Sequence, residues 1–136
     1  MGGRFLQFNC NGIVHCHAEL QDFLHRHQVK VACIQETKLR PGSPHKEFSN
    51  YTSIRKDRRG GRGGGLLTLV HQSLSFREAD TATLPNDDTA ETLGVVVVVG
   101  GVSLHVLNVY IPPRPLASKA TLLTLTPSWW TVEISW

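Results

Sequence analysis

The spacing of hydrophobic positions predicts a strand, a helix and a second strand at the start of the chain. Residues 4–8 alternate between polar and apolar side chains, which is typical of a short strand. Apolar side chains then recur every three or four residues and predict an amphipathic helix over residues 18–26. The stretch "VKVACIQ", residues 29–35, is β-branched and nearly all apolar, as in a buried strand. This order predicts an α/β domain that opens with a βαβ unit.

The following residues carry strand patterns separated by turn-forming residues. We expect strands over residues 51–55, 66–71, 92–99 and 102–110. Residues 84–89 indicate a turn, and Gly100-Gly101 indicates the turn of a hairpin between the last two strands. Pro112-Pro113 ends the last strand because proline lacks the N–H that a β-ladder needs.

Composition narrows the class of protein. The chain has 136 residues, 40% of them hydrophobic and 18% charged, which suits one globular domain and excludes wholesale disorder. A net charge of +3 permits a polyanionic partner. Three cysteines without paired spacing predict a reducing, intracellular location. The longest apolar run, Val95–Val99, is too short to cross a bilayer, so we expect no membrane partner.

Polar residues at predicted strand ends are the candidates for chemistry. The stretches are "FNCNGI", "CIQETK", "RGGRGGG" and "LNVYIPP". Strand ends in layered α/β folds are where functional sites are built. Glu36 follows a buried strand and is a natural ligand for Mg²⁺, although an exposed loop glutamate fits the same pattern. Asn9 and Asn11 either orient a phosphate or form a turn, and Tyr110 either binds a phosphate or packs as a strand aromatic.

Two further segments are candidates for binding, one for nucleic acid and one for zinc. One is a basic loop able to gather a nucleic-acid backbone, or equally a solvated loop: Arg55, Lys56, Arg58, Arg59 and Arg62. The other is the histidine-rich segment that contains His15-Cys16-His17. Its spacing is too tight for a structural zinc site, and no second half of such a site follows.

Taken in order, these stretches resemble the endonuclease/exonuclease/phosphatase superfamily. Within it they are most similar to the endonuclease domain of non-long-terminal-repeat retrotransposons, which is related to apurinic/apyrimidinic endonucleases. "FNCNGI", "CIQETK" and "LNVYIPP" resemble three of its motifs, "RGGGLLTLV" resembles its glycine-led strand, and Glu91 resembles a recurrent glutamate. The resemblance covers residues 4–115.

The resemblance implies a DNase I-like, four-layer α/β sandwich that cleaves DNA phosphodiester bonds with Mg²⁺ and no organic cofactor. It implies that Glu36 binds the metal, with Asn11 beside it. It also implies that Asn9 holds the hydrogen bonds of the site and that Tyr110 contacts the scissile phosphate. A nuclear location follows if the role in retrotransposition is retained.

The chain also departs from the family pattern. The pattern requires a later Gly-Asp-Phe-Asn and a terminal Ser-Asp-His, yet no aspartate follows Asp88 and no histidine follows His105. We therefore expect an N-terminal half of the sandwich at residues 1–115, with no measurable cleavage. Residues 116–136 are expected to be an unrelated tail, and a shifted reading frame of residues 131–136 can spell Gly-Gly-Asp-Phe.

Three expectations follow from this departure. Half a sandwich leaves an apolar sheet face unburied, which favours aggregation or partner binding. The strand over residues 92–99 would favour aggregation most strongly if it lay at an edge of its sheet. A non-catalytic nucleic-acid-binding fragment is an alternative function. A degenerate phosphatase of the same superfamily is a further alternative.

Overall fold

The computed structural model describes residues 2–60, 63–79, 90–112 and 129–135. In these ranges the chain forms one helix, α1 (Ile13–Arg26), and eight strands. The strands are β1 (Gly2–Asn9), β2 (Val29–Gln35), β3 (Tyr51–Lys56), β4 (Leu66–His71), β5 (Ser75–Glu78), β6 (Glu91–Val99), β7 (Val102–Tyr110) and β8 (Trp129–Ser135). The predicted strands are confirmed to within two residues, β5 was not predicted, and the predicted turn at 84–89 lies outside the described residues.

The strands form two sheets. A five-stranded sheet has the order β3-β4-β2-β1-β8, and a three-stranded sheet has the order β5-β6-β7. Strands β1 and β2 are parallel and are joined through α1, as the predicted βαβ unit requires. The other pairings are antiparallel. Strand β6 lies in the middle of its described sheet, so residues 92–99 are not at an edge, and β5 and β7 form the two edges.

Two hydrophobic clusters explain the layering. One packs α1 against the larger sheet through residues such as Leu20, Leu24 and Ile34. The other fills the space between the two sheets and includes Val31 and Val97. Strands β2 and β4 are therefore buried on both faces, which is why their sequences are nearly all apolar. The described layers are helix, sheet and sheet, and the predicted α/β sandwich is confirmed for this part of the fold.

Helix α1 begins at Ile13, so the predicted start at residue 18 was wrong. Its first N–H groups are satisfied by a distant loop rather than by a local cap: Gly12 donates to Glu36 O at 2.8 Å and Ile13 to Thr37 O at 3.0 Å. His17 lies on the buried face of α1 and is 7% exposed, and its Nε2 is 2.9 Å from Glu47 O. This histidine thus has a packing role in the fold.

Strand β8 lies in the segment for which an unrelated tail was predicted. Its backbone pairs with β1 from Gly2↔Ser135 to Phe8↔Trp129 and completes one edge of the larger sheet. Residues 113–128 lie outside the described residues, and the domain boundary at 115 and the frameshift stay predictions. Within the described part of the chain, no helix is long and apolar enough to cross a membrane.

Candidate active site

All four strand-end stretches contribute described residues to one end of the sandwich. Because β1 and β2 are parallel neighbours, Asn9 lies opposite Gln35 and the two loops that follow run side by side. Cys10 N–H donates to Gln35 O at 3.0 Å, and its thiol lies 3.4 Å from Glu36 O. Burial raises the pKa of the Cys10 thiol to about 12, so this cysteine is a neutral packing group.

The backbone at this end is left-handed at residues that carry side chains. Asn11, Glu36 and Lys38 have φ angles of 47°, 54° and 58°. A left-handed conformation is unfavourable for L-residues other than glycine and is held only where the surroundings impose it. Here the loop is held by Lys38 N–H, which donates to Gly64 O at 2.8 Å. Such strain is concentrated at functional sites in folded proteins.

The Tyr110 hydroxyl donates a hydrogen bond to the Glu36 carboxylate. Tyr110 is the last residue of β7, and Glu36 directly follows β2 in the other sheet. Burial and the bond to Glu36 raise the pKa of Tyr110 well above its usual range, so the hydroxyl keeps its proton at neutral pH. The site therefore presents a carboxylate and a hydroxyl donor in contact, although the two residues are 74 positions apart in sequence.

An open cavity of about 470 Å³ lies at this pair. The described residues that line it carry one carboxylate, one phenol and two cationic groups, with two glycines between them: Glu36, Tyr110, Lys38, Arg58, Gly63 and Gly64. Two cations beside a hydroxyl donor suit an anion such as a phosphate. A single carboxylate on the same wall suits a hard cation that bridges to that anion.

The glycine loop before β4 lies so close to neighbouring side chains that an added Cβ would require them to shift. A Cβ on Gly65 would lie 2.5 Å from Thr37 Oγ1, and one on Gly64 would lie 2.5 Å from Glu91 Oε1. Glu91 accepts a 3.0 Å hydrogen bond from Gly65 N–H and forms a 3.2 Å ion pair with Arg58. Glu91 therefore ties Arg58 and the glycine loop to the rim of the cavity.

The predicted nucleic-acid-binding residues are dispersed by the fold. Arg58 lines the cavity and Arg59 is exposed. Arg55 is folded against its own loop, with a 2.8 Å ion pair to Asp57, and Lys56 Nζ donates to Thr92 O at 3.0 Å. Arg62 lies outside the described residues. A role in binding nucleic acid stays a prediction for all five.

The predicted asparagines lie near the cavity but do not line it. Asn9 Oδ1 accepts a 3.2 Å hydrogen bond from Asn11 N–H, which is the local turn chemistry that an asparagine favours. Asn11 is exposed. Glu36 and Tyr110 are the pair that the structure brings into contact, and the two asparagines form the neighbouring loop.

The Endonuclease/Exonuclease/phosphatase family model matches residues 6–131. The chain belongs to the endonuclease/exonuclease/phosphatase family. The resemblance seen in the sequence is thereby confirmed, and the match extends past residue 115 to include part of β8. No curated protein matches the chain.

Solved structures with the same fold include DNA-processing enzymes. AP endonuclease LMAP from Leishmania major superposes with a TM-score of 0.64 at 19% identity, over 80% of this chain and 40% of that one. The endonuclease domain of TRAS1, a telomere-specific non-LTR retrotransposon, gives 0.60 at 18% identity, over 90% and 51%. D. rerio TDP2, complexed with a single-strand DNA product, gives 0.57 at 14%, over 87% and 49%. The chain thus spans about half the length of these structures or less.

The family's metal dependence can be compared with the donor set of this site. Within the described ranges, no group of three or more His, Cys, Asp or Glu side chains is placed to hold a metal ion. Glu36 supplies one hard oxygen donor, with amide oxygens on the adjacent asparagine loop. Mg²⁺ keeps several waters and often takes only one or two carboxylates, so this donor set fits a hydrated Mg²⁺.

Sequence reasoning assigned no role at the site to three residues that build it. Lys38 lines the cavity, Asn108 links the two sheets, and Glu91, noted only by resemblance, holds the rim. Asn108 had a detectable signal, because it occupies an inward-facing position of an alternating strand whose neighbours on that face are apolar. Lys38 had none, because its position depends on the left-handed turn that follows Glu36.

Proposed function

We propose that this chain carries one wall of a Mg²⁺-dependent DNA phosphodiesterase site and that its 136 residues do not complete the reaction. The observation that supports this is the contact between Tyr110 and Glu36 at a cavity lined by Arg58 and Lys38. Family membership supports nuclease chemistry. DNA as the partner, a nuclear location and a role in retrotransposition are parts of the same proposal.

In this proposal Glu36 would hold the hydrated cation, with the Asn9–Asn11 loop beside it. A Mg²⁺ held there would supply positive charge to neutralise the phosphate and the leaving oxygen. Tyr110 keeps its proton, and with the Glu36 carboxylate bound to the cation its hydroxyl would turn from Glu36 to donate that hydrogen bond to a phosphate oxygen, where charge grows in the transition state. Arg58 and Lys38 attract the phosphate to the cavity.

In this proposal the chain does not supply the group that activates water for attack on the phosphate. A general base must lie within hydrogen-bond reach of the attacking water. Among the residues that the structure describes, the one carboxylate that lines the cavity is that of Glu36, which is assigned to the metal. The family's later Asp, Asn and His motifs do not occur in the sequence. We therefore expect the chain to bind cation and phosphate without cleaving.

Two measurements on purified protein test this proposal. Mn²⁺ binding, followed by electron paramagnetic resonance, should be lost in Glu36→Gln and kept in Glu78→Gln, an exposed glutamate on β5. Supercoiled plasmid with Mg²⁺ should show no nicking above the buffer control. Mn²⁺ binding that is unchanged in Glu36→Gln refutes the metal assignment. Nicking by the unsubstituted chain that disappears in Glu36→Gln refutes the claim of an incomplete site.

Nucleic-acid binding without cleavage is a second candidate, favoured by the exposure of Arg59 next to the cavity residue Arg58. Its signature is DNA binding that weakens steeply with salt and needs no divalent cation. Arg59→Ala should weaken that binding, whereas the half-buried Arg55 should contribute through folding alone. DNA binding that requires Mg²⁺ and Glu36 would favour the phosphodiesterase site instead.

A further inference from the structure

Asn108 is a buried polar side chain between the two sheets. It lies on the inward face of β7, where the side chains of Leu104, Val106 and Tyr110 also point inwards, and it is 1% exposed. A buried amide is costly unless its hydrogen bonds are made. Its contacts therefore indicate what the residue does.

The Asn108 amide is fully engaged across the sandwich. Its nitrogen lies 3.2 Å from the carbonyl oxygens of Ile34 and Leu67. The same nitrogen is 3.2 Å from Thr68 Oγ1. Its oxygen accepts a 2.8 Å hydrogen bond from Gln35 Nε2. One side chain of β7 thus binds strands β2 and β4 of the opposite sheet, with both its donors and its acceptor used.

These contacts lie next to the pair at the candidate site. Gln35 immediately precedes Glu36, and Asn108 is two residues before Tyr110 on the same face of the same strand. The apolar residues of the inter-sheet cluster can slide against one another, since hydrophobic contact is non-directional. Hydrogen bonds have direction and distance, and they fix one register.

We propose that Asn108 is a positioning residue, which joins β7 to β2 and β4 and thereby places the Tyr110 hydroxyl against the Glu36 carboxylate. Its significance for phosphate chemistry rests on the proposed function, but the placement itself does not. A purely structural role would be different: loss of Asn108 would then lower stability and leave the contact between Tyr110 and Glu36 as it is.

Fluorine NMR can separate these two roles. The chain has two tyrosines, so a 3-fluorotyrosine-labelled protein gives two signals, and Tyr51→Phe leaves that of Tyr110 alone. In this background Glu36→Gln should shift the Tyr110 signal, because it replaces the carboxylate in contact with the ring hydroxyl. Asn108→Leu should abolish most of this response. Val97→Ala opens a cavity in the same inter-sheet cluster and should lower the unfolding temperature. In that variant Glu36→Gln should still shift the Tyr110 signal by the full amount.

Each result of these measurements either supports the positioning role of Asn108 or overturns it. A full response to Glu36→Gln in folded Asn108→Leu protein overturns it. If Asn108→Leu does not fold, Gln35→Met is measured instead, since it removes one bond and leaves the Asn108 amide donors satisfied. A weakened response there supports positioning, and a full response overturns it. The NMR experiment uses no metal, no DNA and no cleavage assay. A negative NMR result therefore does not affect the Mn²⁺-binding test of Glu36, and a negative Mn²⁺ result does not affect the NMR test.

Discussion

At the scale of single residues, Glu36 combines a useful side chain with an unfavourable backbone. Its φ of 54° is left-handed, and its carboxylate accepts the Tyr110 hydrogen bond. For L-residues the left-handed conformation costs about 1–2 kcal/mol, a penalty that glycine avoids. The position therefore favours glycine for stability and glutamate for chemistry.

This conflict predicts an unusual order of stability at residue 36. Glu36→Gly should be more stable than Glu36→Ala by about 1 kcal/mol, because only glycine relieves the backbone. Urea unfolding of both variants measures the difference. Glu78 in strand β5 is the control, since there glycine should be less stable than alanine. The same order at both positions would contradict the prediction.

Tyr51 predicts how stability depends on alkaline pH. Its hydroxyl donates to Val29 O at 2.5 Å, and burial raises its pKa from 10.0 to about 12. The folded protein thus holds this proton more tightly than the unfolded chain. The contribution to stability is present below pH 10 and is lost as pH rises towards 12, by about 2–3 kcal/mol.

Urea unfolding between pH 9 and pH 12 measures this loss. Tyr51→Phe is the matched control, because it keeps the ring and removes the titrating hydroxyl. We expect its stability to fall less than that of the unsubstituted chain over this interval. Equal slopes for the two proteins would show that other groups cause the loss, with Cys10 and Cys33 as the first to examine, since burial raises both pKa values to about 12.

At the scale of elements, the glycine loop between β3 and β4 sets the rim of the site. Gly65 has a φ of 94°, and its carbonyl accepts from Thr37 N–H at 3.2 Å. It therefore meets two demands, a left-handed backbone and close contact with Thr37. Gly42 meets only the first, with a φ of 79° and open space around it.

The comparison of these two glycines separates the two demands. Gly42→Ala should cost about 1–2 kcal/mol for its backbone alone. Gly65→Ala should cost about 1–3 kcal/mol more, because its methyl group would overlap Thr37. Thermal unfolding of both variants gives the difference. Equal losses would mean that Thr37 moves aside freely, and that the loop does not depend on close contact.

At the scale of the whole molecule, the two faces of β7 differ. The inward face joins the core, whereas Leu107 and Val109 on the outward face are 48% and 38% exposed, and Ile111, directly after the strand, is 69% exposed. Strand β7 is also an edge of its sheet as described. An apolar face beside an open edge favours association between copies.

We therefore expect Leu107→Thr with Val109→Thr to reduce aggregation in light scattering. The unfolding free energy should change by no more than about 0.5 kcal/mol per site, as for surface positions. Val97→Thr, the same change on a fully buried residue of β6, should instead lower it by about 1–3 kcal/mol. Aggregation that persists in the double variant would show that the copies associate through a different surface.

The sequence by itself determined six of the eight described strands and the residues at their ends. Alternation and apolar runs are local properties, so β2 and β7 are predicted with their observed bounds. The motifs around Glu36 and Tyr110 carried enough information to indicate the family. Neither property needs knowledge of what lies across the sandwich.

Only the tertiary structure decided which of those residues act together. The start of α1 depends on carbonyls of Glu36 and Thr37, and the half-buried Arg55 is held by Asp57 rather than free for a ligand. Asn108 and Gln35 meet across 73 residues of chain. Such contacts arise when two sheets pack in one register, and no local pattern of hydrophobic and polar residues encodes that register.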